Sequence, residues 1–484
     1  MKSFLVTLGL CGAALSWQTA VQAEVKLPVI FGDNMVLQAG QGVPVWGWAA
    51  PGAKVTVSFA DQTKTTTAGA EGKWRVTLGK LPVSFSPQTL VVAGDTTVTF
   101  TNILVGEVWL ASGQSNMEKP VGKQPGQKPT INAEQELAAA EYPNVRIFKV
   151  EKTLSPTPRE DLEKYRSWQA CSSNALNTVS FSAAAYFFGR EIHTNLNVPV
   201  GLIESSWGGT RIEPWTPPVG FTAIPSLANL AQPVMATNKI PNTTPTVLYN
   251  AMIAPIAGFA MRGALWYQGE SNLGNTNYDV KMAALIGGWR QIWQEGPFPF
   301  YFVQIAPYKY NKNPATYSVE TDPLPGFWVQ QARASRQIKN TGMVVTTDLV
   351  DDLNDIHPRD KADVGHRLAL LALDKTYDKD VISAGPAFAK MQVAGNKAIL
   401  KFKHAKGGLK SRDGQPLTWF TIAGSDGKFV PAEATIAGET VEVSAAGVDQ
   451  PVAVRYAWSQ LAQPNLANAA GLPAEPFSTQ MPVK

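Results

Sequence analysis

Four short polar stretches carry the residues through which this chain could do chemistry. They are Gly113-Gln114-Ser115-Asn116, Ser206-Trp207-Gly208-Gly209-Thr210, Gln268-Gly269-Glu270-Ser271-Asn272 and Asp351-Asp352-Leu353-Asn354-Asp355-Ile356-His357-Pro358. A serine hydroxyl becomes a competent nucleophile only when a base takes its proton, and neutral imidazole is the side chain best matched to that task near neutral pH. The chain has 4 histidines. His193 and His366 fall within predicted helices and His404 within a C-terminal β region. His357 is the exception: it sits in an acidic loop whose exit Pro358 stiffens, which makes it the economical partner for Ser115. Acyl transfer also needs donors aimed at a developing oxyanion. The Ser115 N–H, an N–H of Gly208 or Gly209, and a carboxamide from Gln268 or Asn272 would supply them.

The elements that must position these stretches are readable from periodicity. Solid apolar runs at 105–111, 145–150, 200–205, 263–267, 300–305 and 343–347 predict strands buried on both faces. Helical spacing predicts helices over 182–196, 279–295, 328–339 and 360–377. Strand alternating with helix at crossover length predicts a doubly wound α/β domain. In such a sheet ligands sit beyond the carboxyl ends of the strands, and each of the four polar stretches follows a predicted strand there. One such stretch would be ordinary turn chemistry; four on one edge argue for a site. Arg211, Glu213 and Trp215 follow the glycine turn closely enough to reach a ligand, and Tyr267 ends the fourth strand. Packing and ion pairing are the competing explanations for all four. The segment 307–326, with Tyr308, Tyr310 and Tyr317, is long for a loop and suits a rim or lid as well as a surface excursion.

Around this centre the texture differs. Residues 24–103 alternate apolar and polar positions in short runs broken by Gly and Pro, and the same texture returns from 385 to 484, which predicts a β-sandwich-like domain on each side of a central domain at 104–384. Residues 1–23, with Lys2, an apolar stretch and Val21-Gln22-Ala23, read as an export signal. Cys171 is then the single cysteine left, so no internal disulfide is expected and a buried, inert thiol is. Hydrophobic residues make up 44% of the chain and charged ones 17%, which predicts a globular protein without long disordered tracts. A net charge of +4, with Lys and Arg scattered, argues against a nucleic-acid or polybasic membrane surface, and no later apolar segment is long enough to span a bilayer.

The blocks "GEVWLASGQSNM", "SSWGGTRIEPW", "PTVLYNAMIAPIAGFAMRGALWYQGESN" and "NDIHPRDKADVGHRLALLAL" resemble those of SGNH/GDSL hydrolases, and more narrowly the sialate O-acetylesterase family. The likeness runs from about Leu27 through Pro476. It implies a flavodoxin-like SGNH fold for the central domain, Ser115 as nucleophile, His357 as base, and an oxyanion site drawing on the Gly208–Gly209 and Gln268–Asn272 turns. It also implies removal of O-acetyl groups from carbohydrates, with an acetylated carbohydrate as partner and no cofactor or metal. Similar enzymes act on acetylated plant polysaccharides such as xylan, so the resemblance does not single out sialic acid.

One position departs from the broader pattern, which places an aspartate three residues before the histidine; here that residue is Asn354. Three accounts stand open: Asp355 is the acid, Asn354 orients the ring through its carbonyl oxygen, or a main-chain carbonyl does so and the enzyme works as a dyad. Other readings compete with the serine esterase. A metal hydrolase fits poorly, because the histidines are few and lack metal-ligand spacing. A glycosidase using Glu270 and Asp355 leaves Ser115 without a purpose. From another class, a non-catalytic carbohydrate-binding protein would suit two flanking β domains and 14 Trp, and a lipid esterase would prefer longer acyl chains.

Overall fold

The structure, a computed structural model, describes residues 24–232, 240–313 and 316–481. The segment read as an export signal lies outside them. Seven strands form the central path of the main sheet: β1 (Thr97–Gly113), β2 (Glu141–Val150), β3 (Tyr165–Ser172), β4 (Val200–Ser206), β5 (Gly263–Tyr267), β6 (Phe300–Val303) and β7 (Thr341–Val344). Their spatial order is β7-β6-β5-β1-β4-β2-β3. All neighbours are parallel except β2 and β3, which pair antiparallel. The runs Val108–Ala111, Val200–Ser206 and Gly263–Tyr267 are buried residue by residue, because helices cover both faces and leave no position for a solvated side chain.

Five helices matter for the site: α1 (Ser115–Glu118), α2 (Ala183–Leu196), α3 (Tyr278–Trp293), α4 (Pro323–Gln337) and α5 (Lys361–Lys375). Three of the longer ones begin where the sequence supplies a cap, and α3 begins without a side-chain cap. Ser182 accepts from Ala185 N at 3.2 Å at the head of α2, Asp322 from Leu324 N at 3.0 Å at α4, and Asp360 from Asp363 N at 3.0 Å at α5. Apolar faces of α2 and α5, through Phe187, Phe188, Leu368 and Leu371, join one core cluster; those of α3 and α4, through Met282, Trp289, Phe327 and Trp328, join the other. In the second cluster Trp215, Trp266 and Trp289 meet edge to face at 6.3 and 6.0 Å. Such pairs add about 0.5–1.5 kcal/mol each beyond the burial of their area. That packing stiffens the floor beneath the β4 and β5 loops.

The N-terminal β region does not close a core of its own. β1 is 17 residues long and serves both regions, half-exposed up to Asn102 and wholly buried from Ile103 onward. Val55, Val57, Leu90 and Val92 accordingly share one continuous apolar cluster with Trp266 and Trp289. The C-terminal β region, from Ala387, does have a separate core, built on Leu400, Ile422, Val441, Val454 and Tyr456. It is tied to the central unit through Asp348, just beyond β7, whose buried carboxylate receives Arg367 at 2.7 and 2.6 Å and also Arg412. Cys171 is buried, and burial holds its thiol up at about 12, so it is inert as a nucleophile. Among the described residues no helix is long and apolar enough to cross a membrane.

Candidate active site

β1, β4 and β5 end at the same level, with Gly113 opposite Ser206 on one side and Tyr267 on the other. Two main-chain bonds lock the three exits together: Trp207 N donates to Gly113 O at 3.0 Å, and Gln114 N donates to Tyr267 O at 3.0 Å. The approach is so close that a Cβ on Gly113 would fall 2.2 Å from Tyr267 O, and its φ of +139° is one an L side chain rarely adopts. The chain therefore turns sharply out of β1 and starts α1 at once. Ser115 is the first residue of that helix, half-buried, and its backbone N–H has no acceptor, as expected of a first-turn donor.

The residue after Ser115 ties it to the histidine loop. Asn116 Nδ2 donates to Ile356 O at 3.0 Å and to Glu270 Oε1 at 2.6 Å, while its Oδ1 accepts from Lys361 Nζ at 2.9 Å. Lys361 Nζ also donates to Pro358 O at 2.7 Å. Ser115 and His357 are thus each one residue from a bond that joins their loops. Neither the Ser115 hydroxyl nor the His357 ring has a hydrogen bond, and both residues are half-exposed. Bonds of this kind commonly tighten only around substrate.

Asn354 and Asp355 stand differently toward the His357 ring. Asn354 is exposed and turned toward Asp352, to which its N and Nδ2 donate at 2.9 and 3.1 Å. Asp355 Oδ1 accepts from His357 N at 2.9 Å and lies 3.6 Å from His357 Nδ1, close enough to act through its charge and too far for a hydrogen bond. Burial, then the Lys361 and Lys119 charges, press the imidazole down to about 4 against the opposing pull of Asp355. Burial likewise, with the charge of Lys119, presses Lys361 down to about 7.

The oxyanion candidates do not all present free donors. The Gly208 N–H is taken by Glu118 Oε2 at 2.7 Å, and Glu118 in turn pairs with Lys152. The Gly209 N–H is exposed and without an acceptor. Gln268 is fully buried: its Nε2 is shared among Asn272 Oδ1, Gln114 Oε1 and Thr210 O at 2.8, 3.1 and 3.2 Å, and its Oε1 accepts from Tyr278 Oη at 2.7 Å. Asn272 is buried too, accepting from Ile212 N at 2.9 Å and donating to Glu213 Oε2 at 3.0 Å. These two carboxamides brace the loops and have no donor left for a ligand.

Gln114, which the spacing argument passed over, does have one. Its Oε1 collects donors from Gln268, Gly269 and Ser271, which fixes the amide orientation and leaves Nε2 unengaged next to Ser115. A Gln directly before a candidate nucleophile at a strand exit was the available signal. Lys361 was also missed, although position 361 falls on the same helical stripe as Val364, Leu368 and Ala372 and is as buried as they are.

Of the four substrate-contact candidates, Trp215 is entirely in the core, with its indole N–H on Thr210 Oγ1 at 3.0 Å. Tyr267 is equally buried, and Lys361 Nζ lies 5.2 Å from its ring centre. Glu213 is buried in an ion pair with Lys281 at 2.7 Å; burial works against its charge, but bonds from Lys281 and Asn272 hold the carboxyl below its usual range. Arg211 alone is exposed, with no hydrogen bond or ion pair. The described part of 307–326 is fastened down, since Lys309 N donates to Leu353 O at 3.0 Å and Tyr317 Oη meets Ser459 Oγ at 2.7 Å. It braces the histidine loop against the C-terminal β region. Glu270, under Asn116, belongs to the same support, and burial raises its carboxyl.

Gly208 offers a direct test of how tightly Ser115 is held. A Cβ there would sit 3.1 Å from Ser115 Cβ and 3.1 Å from Glu118 Oε2. Gly208→Ala must push Ser115 or the Glu118 carboxylate aside by a few tenths of an ångström, and the kcat of a reaction that runs through Ser115 is expected to drop roughly tenfold with KM little changed. Unchanged kcat would mean the glycine turn does not set the position of Ser115.

A parallel α/β sheet with a serine, an imidazole and unengaged donors at its carboxyl edge is the architecture of an ester hydrolase. Residues 105–374 match the family model described as carbohydrate esterase, sialic acid-specific acetylesterase. The chain is 31% identical to the sialate O-acetylesterase of Mus musculus over 93% of each chain, and 31% identical to that of Homo sapiens over 92% of this chain and 90% of that one. Among solved structures, a carbohydrate acetylesterase from Xanthomonas citri is similar at 36% identity and a TM-score of 0.84, over 94% of this chain and 99% of that one. The chain belongs to the carbohydrate esterase, sialic acid-specific acetylesterase family, and is a carboxylic ester hydrolase.

Proposed function

We propose that the protein removes O-acetyl groups from carbohydrates through an acetyl-enzyme on Ser115. The Ser115 oxygen attacks the acetyl carbonyl while His357 takes its proton, and the imidazolium then returns that proton to the departing sugar oxygen. Water, activated by the same imidazole, attacks the acetyl-enzyme and releases acetate. The oxyanion is met by the N–H groups of Ser115 and Gly209 and by Gln114 Nε2, in place of Gln268 and Asn272. Asp355 stabilises the imidazolium by its charge, and Arg211 reaches the sugar.

One observation carries this reading: the Asn116–Ile356 bond that draws the serine turn and the histidine loop together beside donors with no other acceptor. An apolar start, Lys2 and the small residues before Glu24 support export of the mature chain. Sialic acid and plant polysaccharides are the two substrate readings. Acetate release from acetylated sialic acids, acetylxylan and acetylated mannan, alongside aryl esters of increasing acyl length, tests them. The expected profile is acetate from at least one carbohydrate and a steep decline beyond the acetyl ester. Preference for octanoyl over acetyl esters would replace this reading with a lipid esterase.

A further inference from the structure

A second concave site lies away from the Ser115 edge, where the N-terminal β region meets the central unit. The strands Val43–Trp48 and Lys73–Leu78 pair antiparallel with Trp46 opposite Arg75 and Trp48 opposite Lys73. Alternation sends Val43, Val45, Val76 and Leu78 into the core, so the opposite face presents two tryptophans and two cations side by side. Across from them runs the turn Ala254–Ala257, which leads into the N-terminal end of β5, whereas Ser115 follows the C-terminal end of β1. Together they wall a cleft of about 550 Å³.

Its polar groups are unevenly used. Lys73 is neutralised by Glu160 at 2.5 Å, an ion pair that closes the rim. Arg75 makes no ion pair within hydrogen-bonding reach, although its charge acts on the buried Glu295 carboxyl. Its guanidinium stands 5.8 Å from the centre of the Trp46 ring and against the turn at Gly258, where a Cβ would lie 3.5 Å from Nη1, and none of its five donors has an acceptor. Trp46 and Trp48 are half-exposed, and neither indole N–H is engaged.

We propose that this cleft is an accessory glycan-binding site for a sugar that carries a carboxylate. Flat indole faces match the C–H faces of a pyranose and their N–H groups its hydroxyls, while a planar guanidinium in a concave site matches a carboxylate in bidentate fashion. A neutral ligand would cover the exposed guanidinium without giving its donors a charged acceptor, and a purely apolar one would strand both indole donors. That the ligand is a glycan rests on the carbohydrate reading of the Ser115 site. The site's consequence is retention: an anchored polymer raises the local concentration of acetyl groups at the catalytic edge.

The test uses the full chain carrying Ser115→Ala, so that bound glycan is not altered. Binding is measured by affinity electrophoresis and calorimetry against glucuronoxylan and polygalacturonate, against polysialic acid, and against neutral arabinoxylan and mannan. Uronic-acid and sialic-acid arms distinguish the two sources of a carboxylated sugar. At least one carboxylated glycan should bind and the neutral ones should not. Arg75→Gln, an exposed change that leaves the fold intact, and Trp48→Ala should each raise Kd about tenfold or more. Both single variants made in the active enzyme should hydrolyse p-nitrophenyl acetate at the unaltered rate, which separates this site from the catalytic one. Absence of binding to every carboxylated glycan, equal binding of neutral ones, or unchanged affinity in either variant overturns the proposal. A failure to hydrolyse acetyl esters would instead strike the reading of Ser115.

Discussion

Ser115→Ala is expected to lower kcat/KM for p-nitrophenyl acetate and for an acetylated carbohydrate by about 10⁴-fold or more, with Tm shifted by no more than about 2 °C. The argument for so large a loss is that no neighbouring group can take over. Cys171 is buried far from this edge with its thiol held up near 12, and Ser271, the next hydroxyl in the loop cluster, follows Glu270 on a turn committed to Gln114. The stability side follows from the bonding: the Ser115 hydroxyl makes no hydrogen bond, so its removal leaves no buried group unsatisfied. Acetate release and a thermal melt on the same preparation check both halves. A rate within tenfold of the parent enzyme removes Ser115 from the mechanism, and a fall in both rate and Tm would show a structural residue instead.

How much of this was legible in the sequence depends on what each pattern encodes. Six of the seven central strands were, because a run such as Gly263–Tyr267 that is apolar or small throughout admits few placements other than a two-face-buried strand; β3 was not, since its first three residues are exposed and polar or half-polar. The boundary between an N-terminal β domain at 24–103 and a central domain at 104–384 rests on a change of rhythm in the sequence. It falls inside β1, however, where the strand passes from half-exposed to buried without a turn, so the core runs on across it. His357 stood out because the chain has 4 histidines and the other three fall on predicted helices or in the C-terminal β region, and Ser115 because it follows a glycine at a strand exit. Gln268 and Asn272 looked the same as ligand-facing amides because a polar residue on a turn reads alike whether it faces solvent or another side chain; only the fold reveals that their donors are consumed by Gln114, Thr210 and Glu213. Lys361 was hidden for the reverse reason. A lysine is expected at the surface, and what holds this one inside, the Asn116 and Pro358 oxygens, comes from distant or unpatterned parts of the chain.

The second large effect is expected from His357, both in its loss and in where it titrates. His357→Ala should cost about as much as Ser115→Ala, because the serine then has no base. In the parent enzyme the acid limb of kcat/KM should lie near pH 4, well below an ordinary imidazole. The sign follows from the active form. The base works when neutral, burial and nearby ammonium groups disfavour its protonation, so activity is whole above that value and is lost as pH falls through it. Lys361, held near 7, is fully charged by the time His357 titrates. Lys361→Met removes that charge at nearly equal length and should move the limb upward. Asp355→Asn should move it downward, since Asp355 is the charge that favours the imidazolium. An asparagine can still accept from His357 N through its own Oδ1, so the turn survives and the change isolates charge from geometry. With 3.6 Å between Asp355 and the ring, and no hydrogen bond to break, its kcat penalty should be roughly 10²-fold, well short of the loss in His357→Ala. A penalty as large as that of His357→Ala would show that Asp355 closes onto the ring in the reacting complex, and a limb that ignored both variants would remove these two charges from the control of the base.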